Sequence, residues 1–278
     1  MIECKPFLKW VGGKRKLLPE LEKRIPQDYL SYYELFLGGG ALFWHLKPQK
    51  AVLIDINPEL INTYKCIQKN VEALIVDLQK HYYEREYYYQ IRNSDRQPEY
   101  HNWTDIQRAS RFIYLNKTCF NGLYRVNSKG QYNVPFGKYK NPQIVDAINL
   151  RACSRALQNT EIICGSFLNL EHRITTQDFV YLDPPYIPLN ATSNFTNYSS
   201  QGFDTKMQIE LRDLCNRFNR RGVRFMLSNS AAPLVFELYS DFNIELVEMT
   251  RSINSKGHKR GKIKEVLITN YRSCMAIA

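Results

Sequence analysis

The stretch from Tyr32 to Asp55 constrains the fold more than any other part of the chain. Tyr32 to Leu37 is a short apolar run that reads as a buried strand, stopped by Gly38-Gly39-Gly40. Ala41 to Leu46 has the character of a helix start, and Ala51 to Ile54 is a second strand ending at Asp55. Strand, glycine turn, helix and strand together open a parallel sheet, because parallel neighbours need a crossover between them. The strand signal returns at Glu161 to Cys164, Phe179 to Leu182, Val223 to Leu227 and Asn243 to Val247. Lys14 to Ile25 carries Leu17, Leu18, Leu21 and Ile25 at helical spacing, and Met207 to Arg220 carries Ile209, Leu211, Leu214 and Phe218. Glu265 to Tyr271 alternates and would close the sheet as an antiparallel edge. The fold class read from this order is α/β with a mostly parallel sheet.

The character changes between Asn57 and Asp146. Helical patterns run from Pro58 to Gln90 and from Asp105 to Asn116, and the tyrosines at 82, 83, 87, 88 and 89 read as helix packing. Tyr124 to Val134 alternates around Asn127-Ser-Lys-Gly130, the pattern of a hairpin. The chain of 278 residues is long enough for such an insert beside one core. The expected organisation is a core of residues 1–56 and 147–278, with 57–146 inserted as a second, helical and hairpin-containing domain.

Charge distribution speaks to the partner. The formal net charge is +11. No acidic residue stands between Asp105 and Asp146, where Arg108, Arg111, Lys117, Arg125, Lys129, Lys138 and Lys140 fall. The same holds between Glu248 and Glu265, with Arg251, Lys256, Lys259, Arg260, Lys262 and Lys264. Acid-free basic stretches suit a phosphate-tracking surface, though a soluble basic enzyme acting on something else has the same net charge. The seven cysteines are scattered without a C-x-x-C, and the five histidines are equally dispersed. Reduced thiols and no metal site are expected. The apolar runs fall short of a membrane span, and Met1 to Lys9 lacks a signal peptide's apolar core. A cytoplasmic protein without an obligate protein partner is expected.

The most specific tetrapeptide is Asp183-Pro184-Pro185-Tyr186, directly after the strand Phe179 to Leu182. Average residue usage makes it a chance event at roughly one position in 10⁵. Its bland reading is a rigid turn. Its chemical reading is more pointed. The exocyclic amino nitrogen of adenine is a poor nucleophile because its lone pair is delocalised into the ring. Asp183 would accept one of its N–H bonds and the Pro184 carbonyl the other, favouring a pyramidal, more nucleophilic nitrogen. The two prolines fix the backbone that aims the carbonyl. Tyr186 would stack on a base brought out of the duplex.

A second element is Glu34-Leu-Phe-Leu-Gly-Gly-Gly40. Gly38 and Gly40 permit a tight turn and close approach of a ligand. No third glycine follows at the spacing of a dinucleotide site, which points to an adenosine cofactor without a pyrophosphate. Asp55 would bind the ribose hydroxyls; the alternative is a helix N-cap ahead of Pro58. A third element is Phe7-Leu-Lys-Trp-Val-Gly-Gly-Lys14, where the P-loop pattern fails because Arg15 follows the lysine. Lys14 would pair with a cofactor carboxylate and Trp10 would stack on adenine, against the commoner roles of a surface lysine and a half-buried tryptophan.

The combination resembles the Dam- and DpnM-like DNA adenine-N6 methyltransferases, in the motif order called the alpha group. Phe7 to Lys14, the Phe36-x-Gly-x-Gly40 turn, Asp55, the insert and Asp183 to Tyr186 occur in that family's order, and the likeness runs to about Tyr271. Phe120-Asn-Gly-Leu-Tyr-Arg125, Asn133-Val-Pro-Phe-Gly137 and Tyr139-Lys140 are similar to its recognition region. Leu35 departs from the proline common before Phe36.

The resemblance implies a Rossmann-like methyltransferase fold and methyl transfer from S-adenosyl-L-methionine to adenine N6 in double-stranded DNA. It also implies base flipping and a GATC target. Trp10, Lys14, Phe36, Gly38, Gly40, Asp55 and Asp183 would contact the cofactor, with Asp183 between cofactor and base. Lys9, Leu123, Arg125 and Pro135 would meet the recognition sequence, and Phe120 and Asn121 would act near the displaced base. Arg125 suits the guanine edge, while Lys138 and Lys140, flanking Tyr139, suit phosphates. The rival expectations are a methyltransferase for cytosine N4, RNA adenine or a protein glutamine, and an inactive DNA-binding regulator.

Overall fold

The computed structural model describes residues 4–188, 203–250 and 262–272. The polar run Asn190 to Gln201 and residues 251–261 of the second basic stretch lie outside the described residues. The strands are β1 (Tyr32–Glu34), β2 (Ala51–Asp55), β3 (Thr160–Cys164), β4 (Phe179–Leu182), β5 (Arg224–Ser230), β6 (Asn243–Thr250) and β7 (Lys262–Thr269). The helices are α1 (Leu18–Glu22), α2 (Ala41–Leu46), α3 (Pro58–Leu78), α4 (Arg85–Asn93), α5 (Asp105–Thr118), α6 (Ala147–Ala156), α7 (Thr205–Arg220) and α8 (Pro233–Leu238). The sheet order is β3-β2-β1-β4-β5-β7-β6. β1 pairs parallel with β4, and β4 with β5. β7 runs antiparallel to both β5 and β6. This is the α/β, mostly parallel architecture expected from the alternation of strand and helix signals.

The chain divides into two compact units. One comprises Met1–Arg15, Leu37–Gln49 and Leu53–Gly165. Its helix α3 is capped by Asn57, whose side chain accepts from the N–H groups of Glu59 and Leu60, with Pro58 at the first helical position where a missing N–H costs nothing. α5 starts with a reciprocal capping box between Thr104 and Gln107. Tyr88, Tyr114, Leu115, Cys119, Tyr132 and Val134 form a buried cluster. The tyrosine-rich stretch serves packing, as expected: Tyr88 is fully buried and donates to the Val134 carbonyl at 2.8 Å. The predicted hairpin is present as a Val126–Tyr132 bridge closed around Asn127 and Gly130. Gly130 has φ +73°, and the Asn127 side chain accepts from Lys129 and Gln131.

The other unit comprises Lys16–Phe36, Lys50–Val52 and Ser166–Ala278. All four residues of β4 are buried, as a central parallel strand requires. The parallel registers Glu34↔Tyr181 and Tyr181↔Met226 mean that the chain leaves β1 at Leu35 and β4 at Asp183 at the same end of the sheet, while β5 continues to Ser230.

Three expectations need correction, and two helices had no expectation at all. Glu265 to Tyr271 is antiparallel but is not the edge; β7 lies between β5 and β6, and β6 is the outer strand. Burial agrees: Val266, Leu267 and Ile268 are at most 1% exposed, whereas Leu246 of β6 is 54% exposed. The helix expected over Lys14 to Ile25 is confined to Leu18–Glu22, because Pro19 sets its start. The pattern from Pro58 to Gln90 is two helices. Ring nitrogens of His81 bond the Tyr87 and Ser110 hydroxyls and Tyr114 bonds the Tyr82 carbonyl, which holds the intervening residues in a turn. Finally, α6 and α8 carry no strong signal in the sequence; α6 starts at Asp146, which accepts from the Asn149 N–H.

Candidate functional site

The first unit holds the glycine turn. Gly38 and Gly40 both take the left-handed conformation, with φ of +47° and +62°. The Gly38 N–H donates to Asp55 Oδ2 at 2.9 Å, and Asp55 Oδ1 accepts from the Asn57 N–H at 2.9 Å. Asn57, not Asp55, is the helix cap, so the N-cap alternative for Asp55 falls. Burial pushes the Asp55 carboxyl above its ordinary range, while N–H bonds from Gly38, Asn57 and Ile56 pull it back. Tyr64 donates to the Gly38 carbonyl and Trp44 to the Gly39 carbonyl, at 3.2 and 3.1 Å.

Trp10 lies against this turn. A Cβ on Gly38 would sit 2.7 Å from Trp10 Nε1, and one on Gly39 would sit 2.9 Å from Trp10 Cβ. The indole also stacks on Tyr124 at 5.8 Å and on Phe112 at 6.3 Å. Lys14 is 4% exposed, not a surface lysine, and Nζ donates to the Gly12 carbonyl at 2.9 Å.

The second unit holds the Asp183 turn at the end of β4. Asp183 is half-buried, Pro184 buried and Pro185 exposed. The Pro185 carbonyl accepts from Gln208 Nε2 at 2.9 Å. Tyr186 Oη donates to Glu265 Oε2 at 2.8 Å. The Ile187 N–H donates to Asn229 Oδ1, and the Ile187 carbonyl accepts from the Ser230 hydroxyl. Burial, with the charges of Asp183 and Glu265, pushes the Tyr186 phenol well above its ordinary range, so it stays a donor at neutral pH. Phe36 packs against Phe167 and Phe203, with ring centroids 5.1 and 5.5 Å away.

Back in the first unit, the residues expected to read DNA gather around the turn after α5. Lys9, Phe120, Asn121, Arg125, Pro135, Lys138 and Lys140 are exposed, and Leu123 and Tyr139 half-buried. Phe120 is 50% exposed, an unusual position for so large an apolar ring. Asn121 has φ +55°. The Phe120 N–H donates to the Pro135 carbonyl at 2.9 Å. Lys9 Nζ lies 4.0 Å over the Tyr139 ring, whose hydroxyl donates to the Cys119 carbonyl. The Arg125 guanidinium donates to both the side-chain and backbone oxygens of Asn133, at 2.7 and 3.2 Å.

Similarity to known proteins decides the family. A family model of the D12 class N6 adenine-specific DNA methyltransferases matches residues 10–253. The chain belongs to that family.

The methyltransferase is 48% identical over 274 residues to Type II methyltransferase M1.LlaDCHI of Lactococcus lactis subsp. cremoris, covering 97% of this chain and 96% of that protein. It is 41% identical to Type II methyltransferase M.MjaIII of Methanocaldococcus jannaschii, covering 97% and 100%. It is 33% identical to the DNA adenine methylase of Escherichia coli, covering 96% and 95%. The protein is thus an enzyme that methylates adenine in DNA at N6. Among the described residues, no group of three metal-ligating side chains is present, and no helix is long and apolar enough to cross a membrane.

Several residues of this methyltransferase escaped the sequence. Gln208, Asn229, Ser230 and Glu265 hold the Asp183 turn, and Asn116 and Asn133 hold the exposed cluster. None has a spacing that marks it. Ile56, directly after Asp55, is an apolar residue 76% exposed.

Proposed function

We propose that the enzyme transfers the methyl group of S-adenosyl-L-methionine to adenine N6 within GATC in duplex DNA, after the base leaves the stack. The observation that carries this reading is the fixation of the Asp183 turn. Its Pro185 carbonyl, Tyr186 hydroxyl and Ile187 N–H are each tied to a side chain of the same unit. A rigid turn at a strand end is what an acceptor pair for two amino protons needs, since catalysis here is mainly positioning. Asp183 and the Pro184 carbonyl take those roles, Pro185 stiffens the turn, and Tyr186 is the face on which the flipped adenine stacks.

The residues of the glycine turn fit an adenosyl group. Gly38 and Gly40 let the turn pack closely, Gly38 under Trp10 and Gly40 against Tyr64 and Trp44, and Asp55 is already oriented by two N–H donors. In this reading Asp55 binds the ribose hydroxyls and Ile56 covers adenine. Trp10, Lys14, Phe36 and Asp183 complete the set of contacts. The bound cofactor supplies an electrophilic sulfonium methyl. What the chain supplies is orientation, acceptors for the amino protons and a binding place for the extruded base.

Residues 57–146 form the DNA-recognition part in this reading. Lys9, Leu123, Arg125 and Pro135 read bases, Phe120 and Asn121 attend the displaced base, and Lys138, Tyr139 and Lys140 follow the backbone. The exposure of Phe120 supports this, because a large ring left in water is well placed to enter a base stack. GATC follows from the likeness of Phe120 to Arg125 to the recognition region of its family.

The test is to express the protein in cells that lack adenine methylation and to sequence the genomic DNA for modified bases. N6-methyladenine confined to GATC is expected. Methylation at another sequence overturns the target, and N4-methylcytosine overturns the acceptor chemistry. In the same cells Asp183→Ala should leave the DNA unmodified; wild-type levels would remove Asp183 from the mechanism.

A further inference from the structure

Asn116 stands in the last turn of α5 and is 3% exposed. Its Oδ1 accepts from the Lys9 N–H at 2.9 Å. Its Nδ2 donates to the Lys9 carbonyl at 2.7 Å and to the Gly122 carbonyl at 3.0 Å. Both amide protons and the carbonyl oxygen are therefore used, as a buried amide requires. One side chain thus joins two segments more than a hundred positions apart in sequence. Each segment carries exposed residues of the proposed DNA-reading cluster.

The joint is also tight. Gly122 has φ +64°, and a Cβ there would lie 2.4 Å from Lys9 Cβ and 2.6 Å from Lys9 Cδ. The Lys9 stem therefore lies directly on the Gly122 backbone. A shift of the Phe120–Gly122 turn moves Lys9 with it. Leu123 and Arg125 come three and five residues after Phe120, on the chain that leaves this turn.

We propose that Asn116 is a positioning residue for specificity, which sets Lys9 and Arg125 in one register so that their two base pairs are read together. The proposal rests on the reading of Lys9 and Arg125 as base contacts. It predicts something that two independent contacts do not. Disturbing one buried amide should relax discrimination at two separate base pairs at once, whereas the loss of either cation relaxes one.

The experiment measures methylation kcat/KM on the cognate duplex and on a set of duplexes with single base-pair changes. Lys9→Ala and Arg125→Ala are measured first and should each relax a different pair. Asn116→Asp keeps an acceptor for the Lys9 N–H but sets an oxygen against the Lys9 and Gly122 carbonyls. It should lower the cognate-to-altered ratio at both pairs, each by about tenfold, within what one base contact supplies. Gly122→Ala leaves Asn116 in place and forces the Lys9 stem away; it should give the same two-pair profile even where Asn116→Asp fails to fold. An equal loss on every duplex, or relaxation at one pair only, overturns the proposal. If Lys9→Ala and Arg125→Ala relax no pair, the base-contact reading itself falls, and the proposal with it.

Discussion

Tyr186 Oη donates a hydrogen bond to Glu265 Oε2 at 2.8 Å, so the last residue of the Asp183 turn is held by a strand 79 positions later in the chain. Glu265 sits opposite Ser230 in the β5–β7 register, and Ser230 in turn holds the Ile187 carbonyl. The ring of Tyr186 is therefore fixed at its far end as well as at its backbone. Glu265→Ala should lower kcat by about tenfold or more while DNA affinity changes little, because it frees the stacking face rather than removing a contact with the duplex. Glu265→Gln keeps an acceptor and should retain most of the rate. In a double-mutant cycle, Tyr186→Phe combined with Glu265→Ala should be no slower than either alone. Strictly additive losses would mean that the two residues act separately.

In the proposed function, Asp55 gives the cofactor site a pH dependence. Its carboxyl is raised by burial above the ordinary aspartate value of about 3.9. The ionised form accepts from Gly38, and in the proposed function from the ribose as well. Affinity for S-adenosyl-L-methionine should therefore fall on acidification, with a midpoint above that of an exposed aspartate. The raised value has the opposite effect on stability: through this group the folded state gains as pH falls, so the loss of affinity is not a loss of fold. Calorimetry between pH 8 and 5 reads the effect. Asp55→Asn should bind more weakly at pH 8 and show no such midpoint; an unchanged profile in that variant assigns the titration elsewhere.

Arg125 is held by Asn133 through two of its nitrogens, which fixes the plane of the guanidinium. A fixed fork is what bidentate recognition of guanine O6 and N7 requires. Arg125→Ala should cost about 1–3 kcal/mol of discrimination at one base pair. Competition between cognate and singly altered duplexes measures it. A uniform loss on all sequences would instead make Arg125 a phosphate contact.

His81 predicts the acid behaviour of the fold. Burial pushes its imidazole from 6.5 down to about 4, with the nearby Asp77 opposing and Lys80 adding to the fall. The neutral ring bonds the Tyr87 and Ser110 hydroxyls. Between those two pH values the unfolded chain binds a proton that the folded chain does not. Stability through this group is therefore present above pH 6.5 and lost toward pH 4, by at most about 1.4 kcal/mol per pH unit. Urea midpoints at pH 7.5 and 5 should differ for the wild type, and the difference should shrink in His81→Gln. An equal drop in both proteins would place the titration on another group.

Much of this protein was determined by its sequence alone, for a local reason. Phe179 to Leu182 is apolar throughout and ends in Asp-Pro-Pro-Tyr, and two successive prolines admit few backbone paths, so a rigid turn after a buried strand follows without knowledge of the rest. Gly38 and Gly40 announce left-handed turns because only glycine takes them cheaply, and both do take them. The order of strand and helix signals likewise gave the α/β sheet. Tertiary structure alone decided the place of β7, since an alternating strand and a buried one differ only in what packs on either side. It also decided that Glu265 meets Tyr186, Asn116 meets Lys9 and Asn133 meets Arg125. Those partners depend on strand register and on where a helix ends in space. Neither leaves a mark at fixed spacing, because each is settled by burial summed over the whole fold and not by the residues on either side.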